Sequence, residues 1–208
     1  LHSGTIDDKS WTDLSDKTIN AYQKSKTIAE QAAWDFINNQ SDINPLELSV
    51  INPGAVLGPT LSDDIYGESL NICNELLSGK MPGIPDLSIS MVDVRDVAKH
   101  HIKAMTLPTA KNKRYISALS EPTPMLEFAQ TLAENGFKVP TKKVPTILLK
   151  FLSLFDKQVK GMLPLLGRKV TCDNSLTMND FDWTPIPLKD TFLDMAKSVQ
   201  AVLDKKNK

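Results

Sequence analysis

Residues 20–37 read NAYQKSKTIAEQAAWDFI, and this run decides what kind of fold the chain can make. Ala21, Ile28, Ala29, Ala32, Ala33, Phe36 and Ile37 recur at three- and four-residue spacing, which predicts an amphipathic helix over 20–39. Asp16 or Asn20 can cap its start, and Asn38-Asn39-Gln40-Ser41 ends it. The alanines on its apolar face allow the helix to lie close against a sheet. A strand follows from Leu46 to Asn52, LELSVIN, and Pro53-Gly54 stops it sharply.

Outward from there, Ser62 to Gly79 reads as one helix, followed by a loop with Pro82, Gly83 and Pro85. Ile89 to Val92 is a short strand, and Asp93 caps a helix through Met105. Arg114 to Ser117 is another strand. Thr123-Pro124 opens a helix that Gly136 closes, and a further amphipathic helix covers Thr146 to Lys160. Residues 182–187 form a loop before a last helix, Leu188 to Lys205. Strands alternate with helices early and helices dominate later, which predicts an α/β sheet feeding a smaller, mainly helical lobe.

The 208 residues carry 24 basic and 25 acidic side chains, a net charge of −1. The charges read as mixed along the chain, with one basic cluster, Lys205, Lys206 and Lys208, taken as a solvated tail. That argues against a nucleic-acid partner. Cys73 and Cys172 have no metal-ligand spacing and the histidines number three, so no metal site is expected. Two thiols fit a reducing cytoplasmic setting. The longest apolar run, Ile147 to Phe155, is broken by Lys150 and Ser153 and is too short to span a bilayer, so no membrane partner is expected. Phe151, Leu152 and Phe155 read as helix core. The chain opens at Leu1 without a methionine and reads as though it begins partway through a longer protein.

Tyr22 and Lys26 lie four apart, on one face of the first helix. Near neutral pH a free phenol is a weak acid. A neighbouring ammonium favours the phenolate, so the pair suits proton donation to a carbonyl oxygen. By itself Tyr-x-x-x-Lys is a common helical coincidence, and its surroundings decide its meaning. The run from Tyr22 to Trp34 resembles the active-site helix of the extended short-chain dehydrogenases (the NAD-dependent epimerase/dehydratase superfamily), in particular the dihydroflavonol-reductase-like branch. Asn52-Pro-Gly-Ala-Val-Leu-Gly-Pro59 resembles the strand-to-loop segment of that family, and Val92-Asp-Val-Arg-Asp-Val-Ala98 its strand-to-helix junction. Val139 to Pro145, and Leu166-Gly-Arg168 through Ser175, are similar to later segments of the same branch.

The resemblance implies an NAD(P)H-dependent reductase of a ketone or aldehyde, with Tyr22 as proton donor tuned by Lys26. Lys26 would also bind the nicotinamide ribose. Pro53, Gly54, Ala55 and Val56 would line the nicotinamide, at the carboxyl end of a strand where α/β sheets leave a crevice. It implies NADP or NAD as cofactor, NADP being favoured, a small carbonyl substrate, and a monomer or homodimer. The implied fold is the C-terminal part of a Rossmann-type doubly wound sheet. Residues 1–60 and 88–118 would belong to the sheet, and 61–87 and 119–208 to the substrate lobe. No Gly-x-x-Gly-x-x-Gly phosphate loop occurs in the sequence. The N-terminal cofactor-binding half is therefore expected to be absent, leaving an incomplete, inactive fragment with an open sheet edge. The catalytic serine is expected to be missing too, with Ser3 a loop residue. Asp93, Arg95 and Asp96 are assigned to structure, Arg95 pairing toward that half, and neither His100 nor His101 to acid-base work. Alternatives on the same scaffold are a nucleotide-sugar epimerase or dehydratase, or a non-catalytic truncated protein.

Overall fold

A computed structural model describes residues 3–41, 43, 45–155 and 157–206. The chain is α/β. Strand β1 (Ser3–Ile6) pairs in parallel with β8 (Lys169–Cys172), closing a loop that spans most of the chain. Strand β2 (Ser49–Pro53) runs parallel to β6 (Lys113–Ser117), its sole partner strand among the described residues. Between them the chain makes β3 (Ala55–Leu57), helix α2 (Glu68–Leu77), β4 (Ser88–Ile89), β5 (Met91–Asp93) and α3 (Val94–Thr106). Strand β3 pairs in parallel with β5, and α3 packs on β2.

Helix α1 (Ala21–Asn38) begins where the helical pattern places it. Asn20 caps it in a capping box: the Gln23 amide donates to the Asn20 side chain at 2.8 Å, and the Asn20 amide donates to the Gln23 side chain at 3.0 Å. Its apolar stripe does not lie against a sheet, however. Thr27 is its one buried residue among those described, and Ile28 and Phe36 are exposed. The main core lies elsewhere, between α2, α4 (Met125–Glu134) and α8 (Leu188–Lys206), around Leu76, Phe128, Phe192 and Val199. A smaller cluster of Val92, Tyr115, Phe181 and Trp183 packs α3 and β6 against α7 (Ser175–Phe181).

Several expected elements are shorter or divided. The helix expected from Ser62 starts only at Glu68, because 60–66 is a chain of side-chain-bonded turns involving Thr60, Ser62 and Asp64. The strand expected over Ile89–Val92 divides at Ser90, since β4 pairs antiparallel with β7 (Thr123–Pro124) while β5 pairs with β3. Thr123 and Pro124 lead into the expected helix, with Pro124 at its N-cap position, but without the expected side-chain cap. They form β7, and α4 starts at Met125. The helix expected over 146–160 is two, α5 (Thr146–Leu152) and α6 (Lys157–Met162), with position 156 outside the described residues.

Four expectations about particular side chains are corrected. Ser3 is not in a loop but begins β1, opposite Lys169. Phe151 and Phe155 are exposed and Leu152 lies at the surface, so the stripe is not core. Lys205 is not a free tail residue: α8 carries it to Asp63, at 3.1 Å, while Lys206 lies 4.6 Å from the Tyr66 ring centroid. Lys208 lies outside the described residues. Arg95 pairs within the chain, donating to Asp93 at 2.7 and 2.8 Å and to Asp194 on α8 at 2.8 Å. Asp93 caps α3 through the Arg95 amide at 2.8 Å and accepts the Thr191 hydroxyl at 2.7 Å. Burial would raise the Asp93 carboxyl, but bonds from Arg95 and Thr191 outweigh it and hold it below the usual carboxylate range. Asp96, also buried, accepts the Ile186 amide at 2.9 Å. These charges join α3 to the C-terminal segment.

Candidate active site

Tyr22 and Lys26 occupy the first two turns of α1, and the capping box just before them sets the rotation of that face. Their side chains meet: Lys26 Nζ lies 5.3 Å from the Tyr22 ring centroid. Tyr22 is 68% exposed, and no carboxylate among the described residues pairs with Lys26. A free phenol and an uncommitted ammonium therefore stand together at the mouth of a cleft of about 880 Å³.

The opposite wall is the end of β2 and its continuation. Pro53, Gly54, Ala55 and Val56 all line the same cleft as Tyr22 and Lys26, so the structure brings together every expected site residue. The proline-glycine step does more than end a strand. At Gly54 the chain leaves β6 for β5: the Gly54 amide donates to the Ser117 carbonyl at 3.1 Å, and the Ala55 amide to the Ser90 carbonyl at 2.9 Å. A Cβ on Gly54 would lie 2.3 Å from the Ser90 oxygen and 2.9 Å from Ala118 Cβ. Glycine is required there because two backbones touch.

The cleft also contains residues that the sequence did not single out. Arg114, on β6, donates to Glu30 of α1 at 2.6 Å and to the Asp8 and Ser10 carbonyls at 2.6 and 2.8 Å. Its guanidinium stacks 4.1 Å from the Trp11 ring, which lines the cleft. Arg114 thus ties the segment after β1 to the Tyr22 helix. Asn52 presents a buried Nδ2 with no hydrogen-bond partner in the structure, at the cleft wall. A hint lay in its place before Pro53-Gly54, but only the fold shows its donor unmet. Ser3 does not line the cleft. His100 is buried, shares a hydrogen with the Ser117 hydroxyl at 2.8 Å and stacks edge-on to Trp183 at 4.6 Å, away from the cleft. His101 is exposed. No group of three or more candidate metal ligands occurs among the described residues.

Parallel α/β pairing with a Tyr-Lys helix facing a strand end across one cleft defines a protein of Rossmann-like type. Comparison with known proteins agrees. No protein-family model matches the chain. It is 32% identical over 140 residues to an NADPH-dependent methylglyoxal reductase of Saccharomyces cerevisiae, covering 65% of this chain and 40% of that protein. It is 33% identical over 153 residues to an anthocyanidin reductase of Vitis vinifera, covering 68% and 43%. The structure of yeast methylglyoxal/isovaleraldehyde reductase complexed with NADPH superposes with a TM-score of 0.72 at 25% identity, over 97% of this chain and 58% of that one. The chain belongs to the extended short-chain dehydrogenase/reductase superfamily, that of the NAD-dependent epimerases and dehydratases. It spans about half the length of the curated relatives it matches.

Proposed function

We propose that these residues form the proton-donating and nicotinamide-facing part of an NADPH-dependent reductase of aldehydes or ketones, in the dihydroflavonol-reductase-like branch. The observation that carries the reading is the meeting of Tyr22, Lys26 and the 53–56 segment around one cleft. The residues fit one end of the cofactor. Lys26 offers an ammonium to ribose hydroxyls, Asn52 Nδ2 is a buried donor without a partner, and Pro53 to Val56 line the cleft where the ring would lie. The sequence contains no glycine-rich phosphate loop, so the fit is to the nicotinamide end. NADPH rather than NADH is supported by the yeast relative named an NADPH-dependent methylglyoxal reductase and by the yeast reductase structure complexed with NADPH.

When bound, the cofactor supplies hydride to the carbonyl carbon. Tyr22 donates its phenol proton to the carbonyl oxygen, and the Lys26 ammonium stabilises the phenolate left behind by Coulomb attraction. Trp11, Pro53 and Val56 give the cleft an apolar wall beside Tyr22, against which the carbon skeleton of a carbonyl compound can rest. We assign residues 1–60 and 88–118 to the sheet side of the site and 61–87 and 119–208 to the substrate lobe, except that β8 and α7 of the last range join the sheet side by pairing with β1 and packing on β6. The substrate is a small carbonyl compound, and the two free cysteines agree with a reducing cytosol.

The test is Tyr22→Phe in the holoenzyme, followed by NADPH oxidation against a panel of aldehydes and ketones. Turnover should fall by at least about a hundredfold, the usual worth of a positioned acid, while NADPH affinity stays within a factor of about two. Retained turnover would remove Tyr22 from the mechanism.

A further inference from the structure

The apolar surface at residues 147–155 belongs to neither core and lines no part of the cleft. Leu149 is buried and anchors α5 to the lobe. Around it Ile147, Leu148, Phe151, Leu152, Leu154 and Phe155 lie at the surface, three of them strongly: Ile147 at 80%, Leu154 at 74% and Phe155 at 78%. Phe151 and Phe155 touch edge to face, with ring centroids 5.6 Å apart, so the two rings form one patch. A contiguous apolar patch on a surface marks a binding face.

The flanking charge identifies what it binds. Between Asn135 and Cys172 the chain has eight lysines and arginines against one aspartate, in a protein whose total charge is −1. The basic residues are therefore not evenly mixed along the chain but concentrated in this segment. Lys138, Lys142, Lys150, Lys160 and Lys169 are exposed, and none forms an ion pair among the described residues. Lys143 is spent on Asp86 at 2.7 Å.

We propose that α5 with its Lys150, the turn after it, and Lys160 of the α6 helix packed against it form a docking surface for an anionic lipid bilayer. Aliphatic and aromatic side chains would enter the acyl boundary while lysines meet the headgroups, the chemistry of an interfacial segment. No helix among the described residues is long and apolar enough to cross a membrane, and the proposed contact is an interfacial one. A second copy is a poor occupant, because a symmetric contact would press two strongly positive segments together. Single-stranded nucleic acid would use the lysines and the two phenylalanines but leave Ile147, Leu148, Leu152 and Leu154 without a partner. The proposal is independent of the reaction assigned to the cleft.

Flotation of the protein with phosphatidylcholine vesicles, with and without phosphatidylserine, tests it. Binding should require phosphatidylserine and weaken as salt rises. Lys150→Gln with Lys160→Gln should lower the partition coefficient about 25-fold, since each lysine near an anionic surface is worth about fivefold. Phe151→Ser with Phe155→Ser should lower it by more than about tenfold. The wild-type lipid and salt comparison needs no variant to fold, and circular dichroism checks the variants. The proposal is overturned by absence from phosphatidylserine vesicles, by equal binding to neutral vesicles, by single-stranded RNA binding in place of vesicle binding, or by a phenylalanine-dependent dimer that ignores lipid.

Discussion

Arg114 and Glu30 stand 84 positions apart and meet in a two-bond pair, Nε to Oε1 at 2.6 Å and the terminal nitrogen to Oε2 at 3.2 Å. Their side chains are 15% and 13% exposed, so the pair is largely removed from water. The same guanidinium holds two carbonyls and the Trp11 ring, which makes it the joint between β6, the segment after β1 and the Tyr22 helix. Glu30→Ala leaves that cation without its carboxylate and should cost about 3 kcal/mol in urea unfolding. Arg114→Lys should recover only a minor part of what Arg114→Ala loses, because an ammonium cannot reproduce the planar fork.

Gly54→Ala tests the close approach between the cleft wall and β5. The added Cβ meets backbone oxygen, which cannot rotate away, so the 53–56 segment must shift. We expect a loss of about 1–3 kcal/mol and weaker NADPH binding by the holoenzyme. Gly136→Ala is a useful contrast. Nothing lies within 4 Å of a Cβ there, so its cost comes from its φ of 91° alone and the cleft is untouched.

His100 sets an acid limit on stability. Burial pushes its imidazole down from 6.5 to about 4, the nearby Asp96 only partly offsetting this. Its folded value lies below its unfolded one, so the unfolded state binds the extra proton between them. Stability is full above about pH 6.5 and falls as pH drops toward 4, by roughly 3 kcal/mol for this group. Below that, protonation of Asp93, itself depressed in the fold, removes a further contribution. Urea midpoints measured across this range should decline in the native protein, and His100→Asn should flatten the upper part of the curve.

Asn20→Ala removes one bond of the capping box and should cost about 1 kcal/mol. The loss is local to the first turn, where Tyr22 sits. Hydrogen exchange at the Gln23 amide should quicken while amides in α8 keep their protection.

Much of the fold was legible because its signals are short-range. Helix α3 starts at its Asp93 cap, α1 at its Asn20 cap, and the break at Pro53-Gly54 marks one wall of the cleft. The misreadings share a cause. Thr146 to Lys160 has continuous helical spacing, yet spacing carries no information about where the chain must turn to bury Leu149 alone. The β1–β8 pairing joins residues 166 positions apart, and four-residue strands have little periodicity to detect. Thr123-Pro124 satisfied a helix-start pattern and α4 follows it, but its neighbour β4 drew the pair itself into a ladder.

The sequence by itself determined that Tyr22 and Lys26 share a helix face, and that a proline-glycine step follows the next strand. Backbone geometry settles such relations within a few residues. Only the tertiary structure decided that these two features face each other across one cleft and that Arg114 and Glu30 hold the walls together. The same is true of the apolar face of residues 147–155 being left outside the core. Those outcomes depend on which distant surfaces meet, and an apolar side chain has the same pattern whether another element covers it or water does.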